Sequence, residues 1–422
     1  MKKNKIVISI IISIGVILTV VALILNLSGK KEESLSIKTI KEFYSRIEEF
    51  TSNDPLELQE VFKEDGLYKI STDTEYKDSD KPIKIKGNIY YDDKRIYSLL
   101  DTNYNEEDFK LTGLLFENRL YFNIDKISSK YYYKDIELGE DNLTYKELKE
   151  ISNISFNILI DNLENKTIKT ETEKIKISNN TVEVEKNIVT LNGKEKNKIF
   201  DLIIDKVKES DKFKDSSKKL IVNKLNNSKA SSLDEDGDSL LIELYQKDNK
   251  IIEADLIDYN ESTKMHIELY KTESDREYLN IETYKKDKKE NGITVTKSSA
   301  RESVINVFYN DEYEINMKAN TANNALQING TIRKIEDYKK EDIGTFNIEL
   351  GMLDYQREYS LNIKVNINST DKKLSIDSEN KIYVDELSPE YDIDIDSVKS
   401  INRMTPEEKL LVIKYFGLEL FK

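Results

Sequence analysis

Apolar residues recur along this chain in three periods, and each predicts a different kind of element. The first is a nearly uninterrupted apolar run over residues 6–27, from Ile6 to Leu27, preceded by Lys2, Lys3 and Lys5 and followed by Lys30, Lys31, Glu32 and Glu33. At about 1.5 Å of rise per residue such a run crosses a hydrocarbon core of about 30 Å, longer than a signal-peptide core requires. It predicts a transmembrane anchor over 6–27 behind a cytoplasmic segment at 1–5. The amino-terminal lysines are undiluted, whereas Lys30 and Lys31 precede two acids, so the amino terminus is expected inside and residues 34–422 outside the cytoplasm. Cleavage after Ser28 is the alternative, although no Ala-x-Ala stands there.

The second period is helical. Ser34 or Ser36 can cap a helix that carries Ile37, Ile40, Phe43, Tyr44, Ile47 and Phe50 on one face and ends before Pro55. Tyr145, Leu148, Ile151, Phe156, Leu159 and Leu163 predict another, and Ile199, Phe200, Ile203, Ile204 and Val207 a third. A short helix is expected over 216–225. Near the carboxyl end Thr405, Pro406 and Glu408 occupy the N-cap, N1 and N3 positions of a capping box ahead of Leu410, Leu411, Ile413 and Phe416.

The third period is two. From Gly66 onward Ile83, Ile85, Ile89 and Tyr91 alternate with polar residues, and runs at 95–101, 109–116, 120–124 and 130–136 continue the pattern. A strand pair follows at 168–177 and 181–191, and from Ser239 a long succession of strands extends to Val384. Short polar turns join neighbours directly, which predicts an antiparallel meander. The fold class expected is α+β and β-dominated: a membrane helix, then a large curved antiparallel sheet with a few packed helices. Residues 34–422 read as one extracytoplasmic domain, with a possible subdivision near 230–238.

Composition narrows the function. A net charge of −15 and a pI near 5.0 argue against nucleic acid as a partner, because phosphate binding needs a basic face. Charged residues at 34% and a mean hydropathy of −0.61 are offset by 25 Tyr and 13 Phe, enough to build a core. The absence of cysteine excludes a lipid-modified thiol anchor, and together with the Ile, Lys and Asn richness it reads as a bacterial envelope protein. With four prolines there is no extended stalk, so the domain is held close to the outer leaflet.

The element order, a membrane-proximal helix, a strand meander, an inserted helical pair and then many antiparallel strands, resembles the lipoprotein-carrier fold. It is similar to membrane-anchored bacterial proteins in which an unclosed β half-barrel follows an uncleaved amino-terminal helix. That resemblance implies an apolar concavity for acyl chains or another hydrophobic ligand, with Phe200, Ile203 and Ile204 as candidate cavity residues. The chain has more strands than one such barrel needs, so an enlarged or doubled version is implied.

Candidate chemistry is sparse. Ser232 to Glu243 lies partly on a calcium-loop template, with Asp234, Asp236, Asp238 and Glu243 at ligand positions, but Ser232 replaces the first acid and Ser239 the usual apolar residue. An acidic turn is the simpler reading. Asp392, Asp394 and Asp396 fit a solvated edge strand. His266 is the only histidine; it sits between Met265 and Ile267 in a strand pattern and is read as structural. The triplet Tyr131, Tyr132 and Tyr133 is read as strand filling, with Tyr132 facing away from the other two. No phosphate loop or thiol nucleophile is present, and neither an enzyme nor a cofactor is expected. The expectation is a non-enzymatic binding protein, for lipid or another apolar ligand, or alternatively a scaffold for an envelope protein.

Overall fold

The computed structural model describes residues 42–43, 45–47, 50, 62, 66–78, 81–92, 95–104, 106–117, 119–136, 143, 145–163, 168–177, 180–231, 235–272, 274–310, 312–336, 339–355, 357–369, 373–386 and 398–416. The anchor predicted over 6–27 and the acidic strand at 392–396 lie outside them. Among the described residues no helix is long and apolar enough to cross a membrane.

The chain is β-dominated. It begins with β1 (Tyr68–Asp78), β2 (Lys81–Tyr91), β3 (Arg95–Tyr104), β4 (Glu107–Phe116), β5 (Arg119–Ile124) and β6 (Tyr132–Asp135). Then come α1 (Tyr145–Leu163), β7 (Lys169–Ile177), β8 (Asn180–Asn192), α2 (Gly193–Glu209) and α3 (Asp215–Asn227). The strands resume as β9 (Asp238–Lys247), β10 (Lys250–Asp258), β11 (Thr263–Lys271), β12 (Glu277–Lys285), β13 (Lys288–Ser299), β14 (Glu302–Tyr309) and β15 (Tyr313–Ala322). The last are β16 (Ala325–Glu336), β17 (Lys339–Asp354), β18 (Glu358–Asn368), β19 (Lys373–Val384), β20 (Lys399–Ser400) and α4 (Pro406–Phe416). Contacts divide the chain into two compact units. The first comprises residues up to 53, 139–299 and 305–313, and the second 54–138, 300–304 and 314–422. Residues 230–238 lie inside the first unit.

Several connections explain why the strands pair with their neighbours. Asp248 and Asn249, Lys286 and Asp287, and Asn323 and Asn324 all have positive φ and form two-residue links between consecutive strands. Two successive positive φ values define the type I′ turn, whose twist matches that of flanking antiparallel strands, and Asn and Asp tolerate it best.

In the first unit β7 to β13 pair in sequence order, all antiparallel. Alternation sends Val189, Leu191, Leu240, Ile242, Leu244, Ala254, Met265, Ile267, Leu269, Leu279 and Ile281 into one core with Ile151, Ile199, Ile203, Ile204, Val207, Ile221 and Leu225 of the helices and Phe213 between α2 and α3. Phe43, Ile47 and Phe50, all helical, join this core. The start of α2 is fixed by a reciprocal capping box: the Asn192 side chain accepts from the Glu195 amide at 3.0 Å, and the Glu195 carboxylate accepts from the Asn192 amide at 3.1 Å.

In the second unit the pairing runs β6–β5–β4–β3–β2–β1–β19–β18–β17–β16, antiparallel throughout, with β20 parallel to β6. The predicted α4 start is present. The Thr405 amide donates to the Glu408 carboxylate at 2.7 Å, and the Glu408 amide donates to Thr405 Oγ1 at 3.2 Å. Glu408 also accepts from the Tyr132 hydroxyl at 2.6 Å, which ties α4 to β6. Alternation across the tyrosine triplet is as expected: Tyr132 is buried against Phe122, while Tyr133 turns to Tyr121 with the Arg119 guanidinium 5.2 Å from its ring.

Lys196 of α2 has a fully buried side chain, and its ammonium donates to Asp258 at 2.7 Å and to Asn260 at 3.2 Å. Breaking a buried pair leaves an uncompensated charge, at a cost of about 3–5 kcal/mol. Asp258→Asn keeps an oxygen for the Asn260 and Glu261 amides that Asp258 accepts from, but removes the negative charge. It should lower stability by about 3 kcal/mol. Lys196→Met should cost clearly less, as read by urea denaturation of the purified chain.

Candidate functional site

The two units use their sheets differently. In the first, helices fill one face. In the second, one face carries apolar rows that are only partly buried along their middle. The register lines up Ile328, Ile348 and Ile363 across β16, β17 and β18, and Gly330, Phe346, Val365, Ile376, Tyr76 and Ile83 across β16 to β19, β1 and β2. A third row holds Ile332, Gly344, Ile367 and Leu374. All of these side chains retain intermediate exposure. Six strands at about 4.8 Å spacing make this face roughly 24 Å wide.

Two of its margins are covered. At one, Tyr359 and Ile382 are buried with Phe62, Ile70 and Val384. At the other, Val412 of α4 and Met404 pack over Phe109, Phe122 and Ile124. Gly330 is required by this packing, since a Cβ there would come within 2.3 Å of the Phe346 ring and 2.8 Å of the Asn316 carbonyl oxygen. The rows are apolar because Ile and Val stiffen the pleat and pack across strands. The residues that alternate with these rows are polar, Asn329, Asn347 and Lys364, then Thr331, Thr345 and Asn366, and with Gly330, Phe346 and Met317 they line an open trough of about 630 Å³.

One polar stripe crosses the apolar face. Thr72 and Thr74 hydroxyls lie 2.8 Å apart, Thr74 and Ser378 hydroxyls 2.6 Å apart, and Asn380 donates to Ser378 at 2.9 Å and to the Leu361 carbonyl at 2.9 Å. The row continues through Ile85 to Thr102 on β3. Thr102 is 7% exposed, and its hydroxyl has no hydrogen-bond partner among the described residues. A buried hydroxyl without a partner is costly, so a ligand group that accepts from it would remove that cost.

The residues singled out from sequence fall elsewhere. Ile203 and Ile204 are 1% and 3% exposed members of the first unit's core, and Phe200 packs at its margin with the Lys196 ammonium 5.5 Å from its ring. Among the described residues the calcium-loop acids are not brought together. Asp234 lies outside the described residues, Asp236 is ion-paired to Lys194 at 2.8 Å, and the Glu235 and Gly237 carbonyls accept from the first amides of α2. Asp238 and Glu243 lie five residues apart on one extended strand, roughly 16 Å along it. Glu243 pairs instead with Lys186 at 3.0 Å. A calcium loop needs a turn into a helix at its end, and here the chain enters β9.

His266 is less ordinary than its strand pattern suggested. On the first unit's face opposite the helices, Asp255 and His266 stand directly across β10 and β11, with Nδ1 2.8 Å from Asp255 Oδ1. Glu253 Oε1 is 3.7 Å from Nδ1, and Glu268 Oε2 is 3.7 Å from Nε2. Lys264 reaches Asp255 at 2.9 Å, and Lys289 reaches Glu282 at 2.5 Å. Burial acts to lower the imidazole pKa, but the hydrogen bond to Asp255, the nearby Glu268 carboxylate and the field of Asp255 and Glu253 outweigh it and hold it up at about 10. Burial pushes the Glu253 carboxyl up to about 7 despite the opposing His266 charge.

No family model and no curated protein matches the chain. Solved structures with some likeness include OccK5 (OpdH) of Pseudomonas aeruginosa, 6% identical over 76% of this chain and 96% of that one, with a TM-score of 0.27. The translocator domain of autotransporter NalP from Neisseria meningitidis is 8% identical over 82% and 96%, with a TM-score of 0.19. A BenF-like porin from Pseudomonas fluorescens is 5% identical over 76% and 97%, with a TM-score of 0.20. Likenesses at these scores carry no argument about fold or function.

The proton affinities set a pH dependence. His266 rises from an ordinary 6.5 to about 10, so its stabilisation is complete below 6.5 and is lost as pH rises through about 10. Glu253 rises from 4.5 to about 7, so its contribution is present below 4.5 and lost as pH rises through about 7. Both signs agree: with chelator present, the melting temperature should fall from pH 6 to pH 10. His266→Gln should flatten the part of that fall above pH 7, and an unchanged slope in the variant would contradict the assignment.

Proposed function

We propose that this chain is a single-pass membrane-anchored, extracytoplasmic binding protein that does no covalent chemistry and takes an amphiphile, a lipid or lipidated molecule, on the apolar face of the second unit. The observation that carries this reading is the half-buried Ile328, Gly330 and Ile332 rows, which lie beside two covered apolar clusters. Contiguous apolar surface of this extent marks a binding site more often than an idle one. About ten methylenes laid on it would supply about 8 kcal/mol, against which the cost of association is set. The stripe of Thr72, Thr74, Ser378 and Asn380, with the unpaired Thr102 hydroxyl, suits the polar part of such a molecule. The apolar run at 6–27, with its flanking charges, supports an anchor that keeps this face near the outer leaflet.

Native mass spectrometry of the full chain, extracted from bacterial membranes in a mild detergent, tests this reading. The expected spectrum contains a population heavier by one lipid-sized mass. Changing Ile363 and Ile376 together to Asn should reduce that population at least fivefold while leaving the circular-dichroism spectrum β-rich. A uniformly ligand-free chain that crosslinks in cells to one defined envelope protein would favour a scaffold role and overturn the lipid reading.

A further inference from the structure

We propose that Glu253, Asp255 and His266 of the first unit form a binding site for a single transition-metal dication of the zinc class. The side chains come from adjacent paired strands: Asp255 and His266 face each other across β10 and β11, and Glu253 is two residues from Asp255 on the same face. One carboxylate oxygen from each acid and a ring nitrogen of His266 lie within 4.8 Å of one another. Ligand atoms about 2.1 Å from a tetrahedral ion sit about 3.4 Å apart. The observed separations from Nδ1, 2.8 Å to Asp255 and 3.7 Å to Glu253, bracket that value, so side-chain adjustment alone would admit the ion.

Two further features fit a metal better than a plain ion-pair network. The first is the position of Glu268, 3.7 Å from Nε2 on the far side of the ring. A histidine that binds metal through one nitrogen commonly donates its other N–H to a carboxylate, which fixes the tautomer and the ring plane. The second is charge. The groups facing the cluster from β8 to β13 are Lys186, Glu243, Glu253, Asp255, Lys264, Glu268, Glu282 and Lys289, flanking His266. With Glu173 of β7, which also pairs with Lys186 at 3.1 Å, six carboxylates meet three ammoniums, so with a neutral imidazole the cluster keeps an excess of negative charge that a dication would reduce. The neutral neighbours Tyr245, Tyr284 and Asn280, which hydrogen-bond to Glu243, Glu282 and Glu268, leave this balance unchanged.

One nitrogen and two oxygens select zinc and its neighbours over calcium, which takes six to eight oxygens. Three protein ligands on two paired strands would leave a fourth position open to water or to a donor group from a partner. The proposal concerns the first unit and stands apart from the lipid face of the second.

Isothermal titration of the full chain in detergent, first stripped with chelator, with ZnCl2 tests it. The result expected is one zinc per chain with a micromolar or tighter Kd. Calcium at the same concentration should give no binding heat. Glu253→Gln preserves side-chain shape and should weaken zinc at least tenfold, as should His266→Gln. Cobalt loading of the parent chain should give the visible absorption of a low-coordinate site, absent from both variants. If a variant loses its β-rich circular-dichroism spectrum, the cobalt spectrum of the parent and the remaining variant decides. No zinc uptake at 100 μM, or equal affinity in the parent and a folded variant, would overturn the proposal.

Discussion

The two-residue period of the antiparallel strand is the constraint on which everything else in this molecule depends. Each strand presents alternate residues to opposite faces, and register decides which neighbours share a row. A slip of one residue would move Ile328, Ile348 and Ile363 to the polar face and bring Asn329, Asn347 and Lys364 to the apolar one. The turns protect against such a slip. Two-residue links such as Asp248 and Asn249 or Asn323 and Asn324 admit one hairpin register, and their positive φ values suit Asp and Asn.

Given fixed faces, the two units diverge in what meets the apolar one. In the first, α1, α2 and α3 supply Ile151, Ile203, Val207 and Ile221, and the face becomes a closed core. Its other face is left to carry charge, and cross-strand pairing arranges acids and bases around His266. In the second, α4 and the Phe62 end cover only the margins, which leaves the isoleucine and valine rows between them partly open. A closed core stabilises the fold, and an open apolar face costs stability unless something occupies it. That asymmetry is the physical basis for placing ligand binding on the second unit.

Much of the architecture was legible in the sequence because it rests on local signals. The faces of α2 and α4 follow from helical spacing, and the start of α4 from the Thr405 to Glu408 capping box; the strands follow from alternation. The start of α2 rests on an equivalent box at Asn192 and Glu195, which apolar spacing does not report. The candidate cavity residues were misplaced for a definite reason. Helical spacing reports that Ile203 and Ile204 face something apolar, and a filled core satisfies that as well as a cavity does. The surroundings of His266 could not be read at all. Asp255 reaches it through the β10–β11 register, which pairs two residues from different strands and which no residue pattern announces.

The most direct test of the central claim sets the two faces of one strand against each other. A photoreactive phenylalanine analogue would be placed either at Ile363 on the apolar face or at Lys364 on the polar one, in the full chain, and activated in living cells. The account predicts that position 363 captures a lipid-sized or lipidated adduct, found by mass spectrometry of the purified chain, and that position 364 does not. Equal capture at both positions, or capture at 364 alone, would contradict a ligand on the apolar face.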